Sequence, residues 1–165
     1  MVSISSLTDT QFQAALLLSA NVEPVSPPDE FLQISLFTSH VQAGFPSPAQ
    51  DYLEDSLSLN ELLIRNPTTT YFLRVRGDSM EDANIYEGAI LVIDRSVKHQ
   101  HDHIVVASVE GEFTVKRLRI QNNKAYLVPE AAGKSYKPVL VTDNCRIWGV
   151  VTFIINKACN YVWNR

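Results

Sequence analysis

His103-Ile104-Val105-Val106-Ala107-Ser108-Val109-Glu110-Gly111-Glu112-Phe113-Thr114-Val115-Lys116-Arg117-Leu118-Arg119-Ile120 decides the fold class. Two runs rich in β-branched and aromatic residues, His103–Val109 and Glu112–Ile120, flank Glu110-Gly111. That is the composition of two antiparallel strands joined by a tight turn. Side chains alternate across a strand, so Phe113, Val115 and Arg117 share one face of the second run. Thr114, Lys116 and Leu118 share the other. Lys116 thus lies between apolar neighbours, where a lysine is an exposed strand residue unless something covers it.

The same pattern extends outward. Tyr71–Arg76 and Ala89–Asp94 read as strands on the N-terminal side. A turn at Asn122-Asn123 leads into Lys124–Val128, and Val139–Thr142 and Arg146–Ile155 complete the set. About seven short strands with no helices between them predict a mainly β, antiparallel fold rather than a βαβ one. One short helix is expected over Ser56–Asn66. Leu59, Leu62 and Leu63 fall there at the i, i+3, i+4 spacing of one helical face, and Pro67 would stop it.

Five of the eight prolines, Pro24, Pro27, Pro28, Pro46 and Pro48, lie within the first 50 residues. Proline removes a backbone donor and disfavours helix in the residue before it. Residues 1–50 are therefore read as a flexible, extended N-terminal arm, with room for a short helix at about Asp9–Ser19. Residues 51–165 are read as the β-rich domain.

Charge divides the chain in the same way. Residues 1–60 hold seven acids (Asp9, Glu23, Asp29, Glu30, Asp51, Glu54, Asp55) and no Lys or Arg, while the rest holds fourteen bases against eleven acids. An acidic arm on a mildly basic body implies a weak, salt-sensitive attraction between them. The formal net charge of −4 argues against a nonspecific DNA binder. Cys145 and Cys159 form no CxxC and no metal-ligand spacing, so reduced thiols in a cytoplasmic protein are expected. The N-terminus has no basic leader, and the apolar run Ala14–Leu18 is far short of the ~20 residues that cross a bilayer.

Three short elements carry chemistry. Gly77-Asp78-Ser79-Met80 directly follows the strand Tyr71–Arg76. The glycine permits a sharp turn that sets Ser79 at a tip, beside amides able to form an oxyanion hole. Alone, Gly-Asp-Ser is an ordinary turn. Lys116 can serve as base for a serine only when neutral. A reference pKa of ~10.4 forbids that at pH 7 unless burial lowers it by up to ~3–5 units. Ala43-Gly44, between Val41 and Phe45, is a small-residue pair able to enter a narrow cleft.

Taken in order, Ala43-Gly44-Phe45-Pro46-Ser47-Pro48-Ala49, Asp51-Tyr52, Leu59-Asn60-Glu61-Leu62-Leu63-Ile64, Gly77-Asp78-Ser79-Met80, Gly111-Glu112-Phe113-Thr114-Val115-Lys116 and Gly149-Val150-Val151 resemble the LexA/UmuD-type self-cleaving serine–lysine peptidases. The likeness is strongest to the UmuD/MucA mutagenesis branch and covers the chain from Ala43 to Phe153. It implies Ser79 as nucleophile, Lys116 as general base, the backbone amides of Asp78 and Ser79 as oxyanion hole, and a cut between Ala43 and Gly44. It further implies a LexA-like catalytic domain, a homodimer and stimulation by the RecA–single-stranded DNA filament. The shortened form would then partner a UmuC-like Y-family polymerase in translesion synthesis. No cofactor, metal, membrane contact or sequence-specific DNA contact is expected. Two departures are a longer stretch before Ala43 and Arg76 in place of a small residue before Gly77.

The alternative is a LexA-like repressor or regulator inactivated by self-cleavage. It would need a DNA reader in residues 1–43, which hold no Lys or Arg for phosphate contacts. Other features carry weaker expectations. His99, His101 and His103 alternate but read as a solvated loop rather than a zinc site. His40 reads as a surface residue. Arg117, Arg119 and Lys124 read as a solvated basic face, and Trp148 and Phe153 as core or dimer interface.

Overall fold

The structure, a computed structural model, describes the backbone of residues 22–25, 33–34 and 57–158, with side chains from Ser58 onward. Among the described residues, ten strands occur in chain order: β1 Val22–Val25, β2 Gln33–Ile34, β3 Leu57–Ser58, β4 Thr70–Val75, β5 Ile90–Asp94, β6 Ile104–Val109, β7 Glu112–Gln121, β8 Lys124–Val128, β9 Val139–Leu140 and β10 Cys145–Ile155. Eight of them form one sheet in the order β1-β4-β5-β10-β6-β7-β8-β9, and β2 pairs with β3 in a second. Every pairing is antiparallel. The mainly β expectation holds.

The two central hairpins form for local reasons. Glu110 and Gly111 have φ of 52° and 94°, and Asn122 and Asn123 have φ of 50° and 59°. Paired positive φ values give the turn whose twist matches that of the strands it joins, which is why asparagine and glycine stand there. The β6–β7 register runs from Val109 opposite Glu112 to Ile104 opposite Arg117.

β1 lies in the stretch read as arm, yet it extends the main sheet, with Val22 opposite Val75 and Val25 opposite Phe72. Its Pro24 is tolerated because β1 is an edge strand, where a missing donor need not break a ladder. The helix predicted over Ser56–Asn66 is shorter than expected: α1 spans Leu59–Leu63, with Ser58 Oγ accepting from the Glu61 amide as N-cap. Ile64 is already extended, Pro67 disfavours helix at the residue before it, and the Asn66 carbonyl accepts from the Thr70 amide. The leucine face is not a core face either, since Leu59 and Leu62 are 41% and 45% exposed. A single turn ahead of β4 has too little length to reach over the sheet. The helix expected near Asp9–Ser19 lies outside the described residues.

β10 is the spine, hydrogen-bonded to β5 on one side and β6 on the other. Its register slips between Ile147 and Gly149 against β6, and between Val151 and Phe153 against β5. Such bulges bend a strand and increase its twist. That bending matters for function. β4 and β7 are four inter-strand steps apart, or roughly 19 Å in a flat sheet at ~4.8 Å per step. Leu73 and Val75 of β4 nevertheless share one buried cluster with Phe113 and Val115 of β7, Met80, Ile85, Leu91, Ile93, Val106 and Trp148. The sheet therefore curls, and this cluster fills its inside. Val105, Ala107, Leu118, Leu127 and Val150 form a second cluster. Trp148 is buried as expected, and Phe153 is half-buried.

Gly149 sits at the first bulge because nothing larger fits. A Cβ there would lie 2.6 Å from Ile93 Cγ2 and 3.4 Å from the Asp94 carbonyl. Ile93 is fully buried, so that methyl has no room to retreat. Gly149→Ala is expected to lower stability by about 1–3 kcal/mol, read as a lower urea midpoint at unchanged slope.

Candidate active site

The strand β4 ends at Val75, and Gly77, at φ 91°, turns the chain sharply. That left-handed backbone favours glycine over any residue with a Cβ. The Gly77 amide donates to Glu87 Oε2 (2.5 Å). Met80, two residues past the turn's start at Asp78, is buried in the main cluster and anchors it from below. A single 3-10 turn, Glu81–Ala83, follows, with Asn84 in the left-handed region as its cap. Ser79 is thereby held half-buried between a strand end and a buried methionine.

Lys116 projects from the middle of β7. Its Nζ lies 2.7 Å from Ser79 Oγ, 2.8 Å from Thr114 Oγ1 and 2.9 Å from the Val115 carbonyl oxygen. Thr114 is on the same strand face two residues back, as the alternation predicts. Burial lowers the Lys116 pKa from 10.5 to about 8. A neutral amine there has two N–H bonds and one lone pair. With Thr114 Oγ1 and the Val115 carbonyl taking the two N–H donors, the lone pair is left for the Ser79 hydroxyl proton. The ammonium form donates to Ser79 Oγ, and only the neutral form can accept from the serine hydroxyl.

Both side chains open into a cavity of about 310 Å³, lined by Val75, Met80, Val115 and Tyr136 with the Gly77–Asp78 backbone turn at one wall. Its polar rim is organised by the loop after β8. Lys134 Nζ donates to Asp78 Oδ2 and Glu81 Oε2, each at 2.6 Å, and Tyr136 Oη donates to Asp78 Oδ1 (2.5 Å). The hydrogen bond from Lys134, then that from Tyr136, holds the Asp78 carboxyl below its usual range.

Of the residues singled out in the sequence, Ser79, Lys116 and Asp78 come together here. Ala43 and Gly44 lie outside the described residues, as do His40 and Cys159. The histidines do not gather: Nδ1 of His101 accepts from the Ile120 amide (2.9 Å) and Nδ1 of His103 from the Gln100 amide (3.2 Å). Among the described residues, no group of His, Cys, Asp and Glu could hold a metal ion, and no helix is long and apolar enough to cross a membrane. Arg117 departs from its reading as a solvated base, because Glu130 takes its Nε and Nη2 in a two-point ion pair at 2.6 and 2.9 Å. Thr114, Glu130, Lys134 and Tyr136 were not singled out. Only Thr114 had a signal, through its shared face with Lys116.

The Peptidase S24-like family matches residues 35–152. Protein ImpA of Escherichia coli is 46% identical over 123 residues, 74% of this chain and 83% of its own length. Protein MucA of Escherichia coli is 44% identical over 119 residues, 72% of this chain and 82% of its own. The LexA repressor of Shewanella piezotolerans is 39% identical over 121 residues, which is 72% of this chain but 57% of that protein. A serine and a lysine at hydrogen-bond distance in a curled antiparallel sheet, and relatives of this closeness, lead to one assignment: the chain belongs to the S24 family of serine peptidases.

Proposed function

We propose that the chain cleaves itself between Ala43 and Gly44, with Ser79 as nucleophile and Lys116 as general base. The observation that carries this reading is the 2.7 Å approach of Lys116 Nζ to Ser79 Oγ in a site that lowers the lysine pKa to about 8. Neutral Lys116 takes the hydroxyl proton as Oγ attacks the Ala43 carbonyl carbon. The backbone amides of Asp78 and Ser79 stabilise the tetrahedral oxyanion. Lys116 then returns the proton to the Gly44 nitrogen, which leaves, and water releases Ala43 from the acyl-serine.

In this reading residues 1–50 act as an arm that carries the scissile bond, and residues 51–165 as the peptidase domain. The tether supplies a high effective concentration, so slow cleavage reflects infrequent docking of residues 41–46 or a protonated Lys116. The RecA–single-stranded DNA filament accelerates it by favouring the docked state. The product serves as a homodimeric accessory subunit of a UmuC-like Y-family polymerase in the cytoplasm, within the DNA-damage response. The likeness to ImpA and MucA favours this role over that of a repressor.

The test is incubation with RecA, an ATP analogue and single-stranded DNA, with the products read by mass spectrometry. Pieces of 43 and 122 residues are expected, and a cut elsewhere would overturn the assignment. Scission also removes Asp9, Glu23, Asp29 and Glu30 and no base, so the retained piece holds fourteen acids and fourteen bases. Loss of this acidic arm is expected to raise affinity for the polymerase above that of the uncut Ser79→Ala chain. Equal affinities in a titration would show that the arm shields nothing.

A further inference from the structure

Lys116 and Arg117 are neighbours on β7 and leave it on opposite faces. Lys116 reaches Ser79 directly. Arg117 reaches the same turn by another route. Its Nε and Nη2 donate to Glu130 Oε1 and Oε2 at 2.6 and 2.9 Å, and its Nη1 donates to the Asp102 carbonyl at 2.7 Å. Glu130 in turn grips the nucleophile turn with its main chain: its amide donates to the Ser79 carbonyl, and its carbonyl accepts from the Asp82 amide, both at 2.9 Å. One residue is thus held by its side chain to the strand of the amine and by its backbone to the turn of the hydroxyl.

We propose that Arg117 and Glu130 are positioning residues that keep Ser79 Oγ within hydrogen-bond distance of Lys116 Nζ; the inference rests on the serine–lysine reading above. The direct contact cannot do this alone, because a lysine side chain has four rotatable methylenes and a serine on a turn can swing away. A planar guanidinium gripping a carboxylate at two points fixes both distance and angle, which a single ammonium contact does not. The pair is well covered, with side-chain exposures of 23% and 20%, unlike a surface ion pair that contributes little. Neither residue lines the cavity, so neither touches the reacting groups, and Glu130 is joined to the turn by its backbone. A misplacement of 1 Å can cost about 100-fold in rate, and that is the loss expected when the bridge is cut.

The experiment uses the full chain and diisopropyl fluorophosphate, so that docking of the arm plays no part. Ser79 Oγ bonds to phosphorus, fluoride leaves, and the hydroxyl proton passes to Lys116. Labelling rates are followed by mass spectrometry from pH 6 to 10, well below each variant's unfolding temperature. Arg117→Ala and Glu130→Ala are each expected to lower the high-pH plateau about 100-fold. The pH midpoint should stay at the wild-type value, and the double variant should be no slower than either single one. Glu130→Gln, which keeps shape and one acceptor, and Arg117→Lys, which keeps charge but not the fork, should fall in between. Plateaus within threefold of wild type would overturn the proposal. So would a shifted midpoint at an unchanged plateau, since the pair would then tune the lysine rather than place the serine. Failure of the wild-type chain itself to label at Ser79 would instead overturn the serine–lysine reading.

Discussion

Lys116→Met is expected to abolish self-cleavage at pH 7.5, with a rate loss of at least about 100-fold and up to about 10,000-fold, the range a positioned general base contributes. Ser79→Ala should fall as far, because it removes the hydroxyl that the turn after β4 presents to the amine. Thr114 Oγ1 is 2.8 Å from the same Nζ, but it is held on β7 beside Lys116 and not on the Gly77–Ser79 turn. The double variant should be no slower than either single one, since two groups that act in one proton transfer cannot be lost twice. Quantifying the 122-residue product over several days at 37 °C measures all three. A Lys116→Met chain that cleaves within tenfold of wild type would remove the amine from the mechanism.

What the sequence could and could not reveal follows from the range of the forces involved. Glu110-Gly111 and Asn122-Asn123 are local signals, because a turn needing two positive φ values leaves few residues to choose from. Strand alternation is equally local, and it placed Thr114 and Lys116 on one face. The curl of the sheet is not local. It depends on the bulges along β10, and only Gly149 leaves a mark of them. Without the curl, Gly77-Asp78-Ser79 is one turn and Lys116 one lysine, and their pairing was legible only through the combined likeness to the LexA/UmuD type. The loop after β8 was illegible altogether. Glu130, Lys134 and Tyr136 follow no period, and their partners Asp78, Glu81 and Arg117 lie between 13 and 58 residues away. The Arg117 misreading has the same origin, because a base on a strand face reads as solvated unless its acid is visible. Proline density pointed to extended backbone in the first 50 residues, and β1 is extended there, with Pro24 on an edge strand; its pairing with β4 left no local mark.

Spontaneous cleavage should rise about tenfold between pH 7 and 10 and flatten above pH 9. With a pKa of about 8, roughly a tenth of Lys116 is neutral at pH 7 and nearly all of it at pH 10. A solvated lysine at 10.5 would instead give a rise of roughly 700-fold over the same span, still climbing at its end. The shape of the profile therefore separates a buried base from an exposed one. The same burial fixes the sign of a stability effect. Between pH 8 and 10.5 the unfolded chain holds a proton at this lysine that the folded chain has lost, so stability from this group rises with pH across that window. Below pH 8 the full cost of a charged amine in a half-closed cavity is present. Lys116→Met removes that cost, so its unfolding temperature should exceed that of wild type at pH 6, by about 2–4 °C for each kcal/mol relieved. The advantage should shrink as pH rises past 8. Calorimetry at pH 6 and pH 10 reads the difference directly. An inactive variant no more stable than wild type at either pH would mean that the amine sits in water, and that the serine has no base.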